Sequence, residues 1–170
     1  MAVGPMVWSR LVRLTHWGVA AAVLFDLFNE TGPLHRATGY GAVALVLLRL
    51  AYGACMPAGD PAALSRPGLT AIGAHLREMG RGHLSPVAGH NPLGQWAAYL
   101  MWALVLALGL TGWMSQLDAF WGDDGLIELH EALADGLMAC VALHLMAVAL
   151  VSRLQGESLL RAMLTGRRRG

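Results

Sequence analysis

Apolar residues run along this chain in four long stretches, over about residues 11–28, 35–52, 92–114 and 128–152, separated by short polar breaks and one long connection. A helix needs about 20 residues to cross a hydrocarbon core of about 30 Å. Each stretch therefore predicts a membrane-spanning helix. The third, Pro92 to Met114, contains no charged residue at all, and Pro92 suits the first turn of a helix. Gly32-Pro33 makes a tight break between the first two spans. The pattern predicts an all-α integral membrane four-helix bundle, one domain over residues 1–170.

The connection from Cys55 to Asn91 is broken by Pro57, Pro61, Pro67 and Pro86, and within it Leu69 to Met79 predicts a short amphipathic helix lying on the membrane surface. Composition agrees: 56% hydrophobic and 14% charged residues leave too little polar surface for a water-soluble protein of this size. Cys55 and Cys140 lie within or at the end of apolar runs and give no disulfide framework. No C-x-x-C-H occurs, which excludes covalent haem attachment. The run from Leu14 to Phe28 lacks a small-residue cleavage motif and carries His16 and Trp17, so it is expected to stay as a first helix rather than leave as a signal peptide.

Charge placement gives orientation, because loops rich in basic residues remain cytoplasmic. The chain has no Lys; Arg10 and Arg13 precede span one, Arg49, Arg66, Arg77 and Arg81 lie in or beside the connection between spans two and three, and Arg153, Arg161 and Arg167 to Arg169 follow span four. Only Arg36 falls on the other side, where Glu30, Asp118, Asp123, Asp124, Glu128 and Glu131 collect. Both termini are thus expected in the cytoplasm. The net charge of +1 argues against a nucleic-acid partner. Trp8, Trp17, Trp96, Trp113 and Trp121 lie near span ends and read as interface anchors.

Seven histidines carry the candidate chemistry. His75, His83 and His90 fall in the connection, where a solvated histidine needs no special explanation. His16, His35, His130 and His144 lie inside or at the ends of apolar spans, where an ionisable side chain is expensive and marks a functional site by default. His130 and His144 are fourteen positions apart on span four. That is two heptads, about 21 Å along a helix, so both face one seam at two depths. His16 enters from the inner side and matches the depth of His144; His35 starts span two on the outer side and matches His130. Two imidazoles facing each other at each of two depths suit two six-coordinate haems. A zinc or copper site and an unliganded polar seam are the alternatives. Gly39 and Gly41 leave room for a macrocycle against span two, or serve ordinary helix packing. Arg13, three residues before His16, is placed to meet a haem propionate or simply to anchor the cytoplasmic end. Asp26 and Asp135 are intramembrane carboxylates, candidates for proton carriage or for plain hydrogen bonding. Arg49 can face an anionic head group or snorkel.

Val7-Trp8, Arg13-Leu14-Thr15-His16-Trp17, His35 with Gly39, Gly89-His90-Asn91-Pro92-Leu93-Gly94, His130-Glu131, His144 and Arg161-Ala162-Met163-Leu164-Thr165-Gly166 together resemble the bacterial cytochrome b561 family, which includes the b-type cytochrome subunit of nickel-iron hydrogenase. The resemblance covers nearly the whole chain. It implies a bundle in the bacterial inner membrane with two non-covalent b haems, His16 and His144 holding the inner one and His35 and His130 the outer. It also implies electron exchange with the quinone pool and with a periplasmic c-type cytochrome or other haem protein. The chain is shorter than typical hydrogenase subunits, which favours the compact cytochrome. The membrane anchor of a larger oxidoreductase and a superoxide:quinone oxidoreductase stay as alternatives, and a homodimer is among the assemblies left open.

Overall fold

The computed structural model describes residues 3–82, 84 and 89–169; His83 and Pro86, named above, lie outside them. Six helices make up most of the chain: α1 (Arg10–Asp26), α2 (Gly32–Cys55), α3 (Leu69–Gly80), α4 (Pro92–Met114), α5 (Asp124–Gln155) and α6 (Leu159–Thr165). A single 3-10 turn, Asp118–Phe120, precedes α5. Strands β1 (Val3–Met6) and β2 (Arg167–Arg169) pair antiparallel, with Val3 opposite Arg169 and Met6 opposite Arg167.

Local chemistry sets these boundaries. The Ser9 hydroxyl accepts from Val12 N to cap α1, Asn91 Oδ1 accepts from Gly94 N to cap α4, and Asp123 accepts from Leu126 N to cap α5. Gly156, in the left-handed region at φ 67°, stops α5. The third stretch keeps the bounds expected from sequence, Pro92–Met114, while the helix expected over Leu69–Met79 forms as α3. The second and fourth stretches form helices longer than expected, Gly32–Cys55 and Asp124–Gln155, the latter started by the Asp123 cap. The first is shorter than the 11–28 stretch. Its 17 residues give about 25 Å. It ends at Asp26 because the chain turns at Leu27–Asn29, with Asn29 N donating to Asp26 O, before re-entering at Gly32 with φ 95°.

Among the described residues three helices, α2, α4 and α5, are long and apolar enough to cross a membrane. Helix α1 packs along α2, α2 along α4, and α4 along α5. The small buried centre is Ala42, Val46, Val105 and Leu137, flanked by Val19, Val43, Leu104 and Val141. Leu24, Leu47, Leu100, Leu110, Leu143 and Leu145 point outward. Large apolar side chains on the outside with small ones within suit a bundle whose solvent is hydrocarbon.

The termini meet at one end, called here the terminal end; the turns Leu27–Thr31 and Ser115–Asp123 form the distal end. Gly166, at φ 79°, lets the chain approach Trp8, and its carbonyl accepts from Val7 N at 2.9 Å and Trp8 N at 3.2 Å. Arg13 reaches across to the carbonyl oxygens of Met163 (3.1 Å from Nε) and Leu164. The three arginines of the tail, read from sequence as a topology signal or a lipid or partner patch, form part of this closure through β2.

The tightest helix approach is at Gly109, where a Cβ would lie 2.3 Å from Cγ2 of Val43. Valine is stiff at χ1 in a helix and does not yield easily. Gly109→Ala is expected to lose about 1–3 kcal/mol through overpacking, read as a lower unfolding midpoint in detergent. A variant as stable as the parent would show that α2 and α4 do not meet there.

Candidate functional site

The structure brings the four span histidines together as two pairs. His16 of α1 faces His144 of α5 with ring centroids 6.3 Å apart, near the terminal end. His35 of α2 faces His130 of α5 with centroids 6.2 Å apart, near the distal end. Both pairs bridge helices that do not pack on each other: neither α1 with α5 nor α2 with α5 shares an interface comparable to those of the bundle's neighbours. The imidazoles meet across seams between separated backbones.

The spacing has a chemical reading. Two metal–nitrogen bonds of about 2.0–2.1 Å plus two imidazole half-widths of about 1.1 Å span about 6.3 Å, so each gap is the width of one metal ion held between two rings. Among the described residues no group of three or more His, Cys, Asp or Glu is arranged to hold a metal. A bare zinc ion wants four donors and finds two. Iron in a porphyrin brings four nitrogens of its own and asks the protein for two axial ligands, so the donor set fits haem.

Hydrogen bonds fix the tautomers of the distal pair. His35 Nδ1 lies 2.9 Å from the Asn29 carbonyl oxygen, which can only accept, so Nδ1 carries the proton and Nε2 keeps its lone pair. The Asp26 carboxylate stands 3.6 Å from the same Nδ1 and accepts the Thr38 hydroxyl. On the other ring, the Thr111 oxygen lies 2.7 Å from His130 Nδ1 and within 3.0 and 3.2 Å of the Ala107 and Leu108 carbonyls. The hydroxyl gives its one proton to the helix and accepts from the imidazole. Oriented Nδ1–H donors of this kind are how proteins aim a ligating histidine. Among the described residues the terminal pair has no such partner: His16 Nδ1 is sealed from solvent without a hydrogen bond, its ring edge against Trp17 at 5.0 Å.

Gly39 faces Asp26, with a Cβ position 3.8 Å from Oδ2, and Gly41 has nothing within 4 Å. Asp135 is exposed on α5. Arg13 donates to α6 carbonyls, as described. His75 and His90 depart from the solvated role given to them. His75 is buried on α3. His90 packs edge-on against Trp8 at 4.9 Å, and its Nδ1 is sealed and unpartnered. Burial first, then the positive charges of Arg49, His16 and His144, push its pKa down to about 4. It is neutral at pH 7. Both were misplaced because the connection folds back onto α2 and α4 instead of extending into water: Leu64 N donates to Gly53 O and the Tyr99 hydroxyl to Ser65 O.

Sequence reasoning missed Asn29, Thr38 and Thr111 as partners of the histidines. A signal existed for Thr111, one of few polar residues in a charge-free span. Asn29 acts through its backbone and left none.

No curated protein and no solved structure matches this chain. The family described as prokaryotic cytochrome b561 matches residues 7–166, most of the length, and spans both histidine pairs. The chain belongs to the prokaryotic cytochrome b561 family, of membrane-embedded b-type cytochromes that transfer electrons.

Proposed function

We propose that this chain is a dihaem cytochrome b of the bacterial inner membrane, His16 and His144 holding one haem b and His35 and His130 a second, and that it carries electrons between the quinone pool and a periplasmic haem or redox protein. The observation that carries the reading is the pair of imidazole gaps, 6.3 and 6.2 Å, at two depths of one helix. Counting α1 as a fourth crossing puts both termini on one side, in keeping with the β1–β2 pairing. The arginine distribution makes that side cytoplasmic. The terminal histidine pair then lies toward the cytoplasm and the distal pair toward the acidic periplasmic face.

Each haem, once bound, supplies an iron that takes up and releases one electron. The protein's part is to hold and to exclude. His16 with His144 and His35 with His130 would hold each group from two sides and leave it no position for an outside ligand, which would suit electron relay rather than chemistry on bound small molecules. Asn29 and Thr111 keep Nε2 of the distal ligands unprotonated and aimed across the seam.

A pyridine haemochrome assay on the purified protein is expected to count two haem b per chain. His144→Ala is expected to lose one haem and keep the reduced-minus-oxidised spectrum of the other, and His130→Ala to do the reverse. Two haems retained in both variants would refute the pairing. Thr111→Val preserves shape while removing the acceptor for His130 Nδ1–H. It is expected to weaken haem binding at the distal site by about 10–100-fold and leave the terminal site unchanged, measured by haem titration of the apoprotein.

A further inference from the structure

Two arginines stand near the terminal histidine pair, and the structure uses them differently. The donors of Arg13 are committed to the carbonyls of Met163 and Leu164. Arg49 is 4% exposed, and neither Nη1 nor Nη2 has a hydrogen-bond partner among the described residues. Its guanidinium rests on the Trp102 ring, 5.3 Å from the centroid. No carboxylate lies within ion-pair distance of it among the described residues, and the charge of Asp60 in the connection acts on it from beyond that distance.

A chain of contacts leads from the Trp102 ring to a second buried donor. Trp102 contacts Tyr99 at 5.6 Å, the Tyr99 hydroxyl donates to Ser65 O at 2.6 Å, and the Ser65 hydroxyl donates to Gln95 Oε1 at 3.4 Å. Gln95 is 2% exposed, and its Nε2 amide is buried without an acceptor. At Gly53 a Cβ would fall 2.5 Å from Arg49 Nη1, 2.8 Å from Leu64 Cδ2 and 2.9 Å from Ala62 O, so the bare backbone is what lets the guanidinium and the connection pack here. A buried guanidinium without a direct ion-pair partner is costly, and a sealed amide without an acceptor adds to the cost. Donors gathered without acceptors fit an oxyanion that the protein itself does not provide.

Depth ties the cluster to the terminal histidines. Arg49 sits six residues before the end of α2 and His16 six residues after the start of α1, and the two helices pack along each other. Both therefore lie about 9 Å into the bundle from the same end. His90 feels the charges of Arg49, His16 and His144 together, which puts all three within electrostatic reach of one ring.

We propose that Arg49, with Gln95 as a second donor, is a carboxylate-binding site for a propionate of the haem held by His16 and His144. The assignment rests on the dihaem reading above. It gives the buried cation its counter-charge, and it makes Arg49 a residue that raises that haem's potential, because a nearby positive charge opposes the extra charge of ferric iron. The same oxyanion chemistry could come from a lipid phosphate, and the experiment separates the two sources.

Holoprotein carrying Arg49→Gln, Arg49→Lys or Gln95→Leu is compared with the parent in two measurements. The first is a spectroelectrochemical titration, with His144→Ala identifying which midpoint belongs to the terminal haem. The second is redox difference infrared spectroscopy on protein loaded with haem labelled with 13C at the propionate carboxyls. Arg49→Gln is expected to keep two haems, lower the terminal midpoint alone and shift the labelled carboxylate bands. Arg49→Lys is expected to hold the midpoint while still shifting the bands, and Gln95→Leu to shift the bands by less. Should Arg49→Gln fail to fold, the other two variants carry the test through the bands. Labelled bands that no variant moves overturn the inference, as does bound phosphorus that the parent retains and an Arg49 variant loses. A haem count other than two in the parent would instead sink the dihaem reading, so the two failures are distinguishable.

Discussion

Everything in this fold turns on keeping two pairs of imidazoles, one tilted and one edge-on, 6.3 and 6.2 Å apart across helices that are held apart. In hydrocarbon no water is at hand to satisfy a polar ring, so each span histidine must find its partner within the protein or in what the protein binds. The α2–α4–α5 core sets the separation. Its centre is built of Ala42, Val46, Val105 and Leu137, small enough to let α2 approach α4 closely at Gly109, while α5 stays clear of α1 and α2. Had α5 closed on those helices as tightly, the imidazole gaps would collapse and nothing the width of a metal ion would fit.

The terminal end shows how such an open arrangement is held. Helix α1 packs along α2 and sends Val19, Ala22 and Val23 against the buried centre. The chain also ties its two ends together. Arg13 caps α6, the Gly166 carbonyl accepts from two successive backbone amides, and β1 pairs with β2. This closure fixes the entry of α1, and so the position of His16, from outside the apolar region, where hydrogen bonds can be made without a bulky core.

Much of this was legible in the sequence, and what was legible shares a cause. Helix spans and the seam of span four follow from period and length, which hydrocarbon enforces with few exceptions. The facing of His16 with His144 and of His35 with His130 followed from depth alone, since antiparallel helices entering from opposite sides turn residue counts into heights. What depended on chain reversal was not legible. The 56–68 segment folds back over α2 and α4, turning His90 from a solvated residue into a sealed one. The pairing of Val3–Met6 with Arg167–Arg169 joins the most distant parts of the chain, and a run of three arginines carries no strand signal. Thr111 and the Asn29 carbonyl needed the side-by-side placement of α4 with α5 and of a turn with α2 before their purpose emerged.

The two ends differ in the groups they turn toward the histidines. At the distal end the partners are acceptors: the Asn29 carbonyl, the Asp26 carboxylate and the Thr111 oxygen all present negative charge or lone pairs to the rings. At the terminal end the Arg49 guanidinium and the Gln95 amide are buried donors without acceptors among the described residues. Acceptors on Nδ1–H make an imidazole more electron-rich and favour positive charge on whatever its Nε2 binds, whereas a buried cation disfavours it. The low dielectric of the bilayer amplifies both effects. A centre that changes its charge by one electron therefore meets opposite fields at the two depths, even though each site offers it the same pair of imidazoles. The asymmetry comes from side chains one shell away from the ligands, set there by the turn after α1 at one end and by the folded connection at the other.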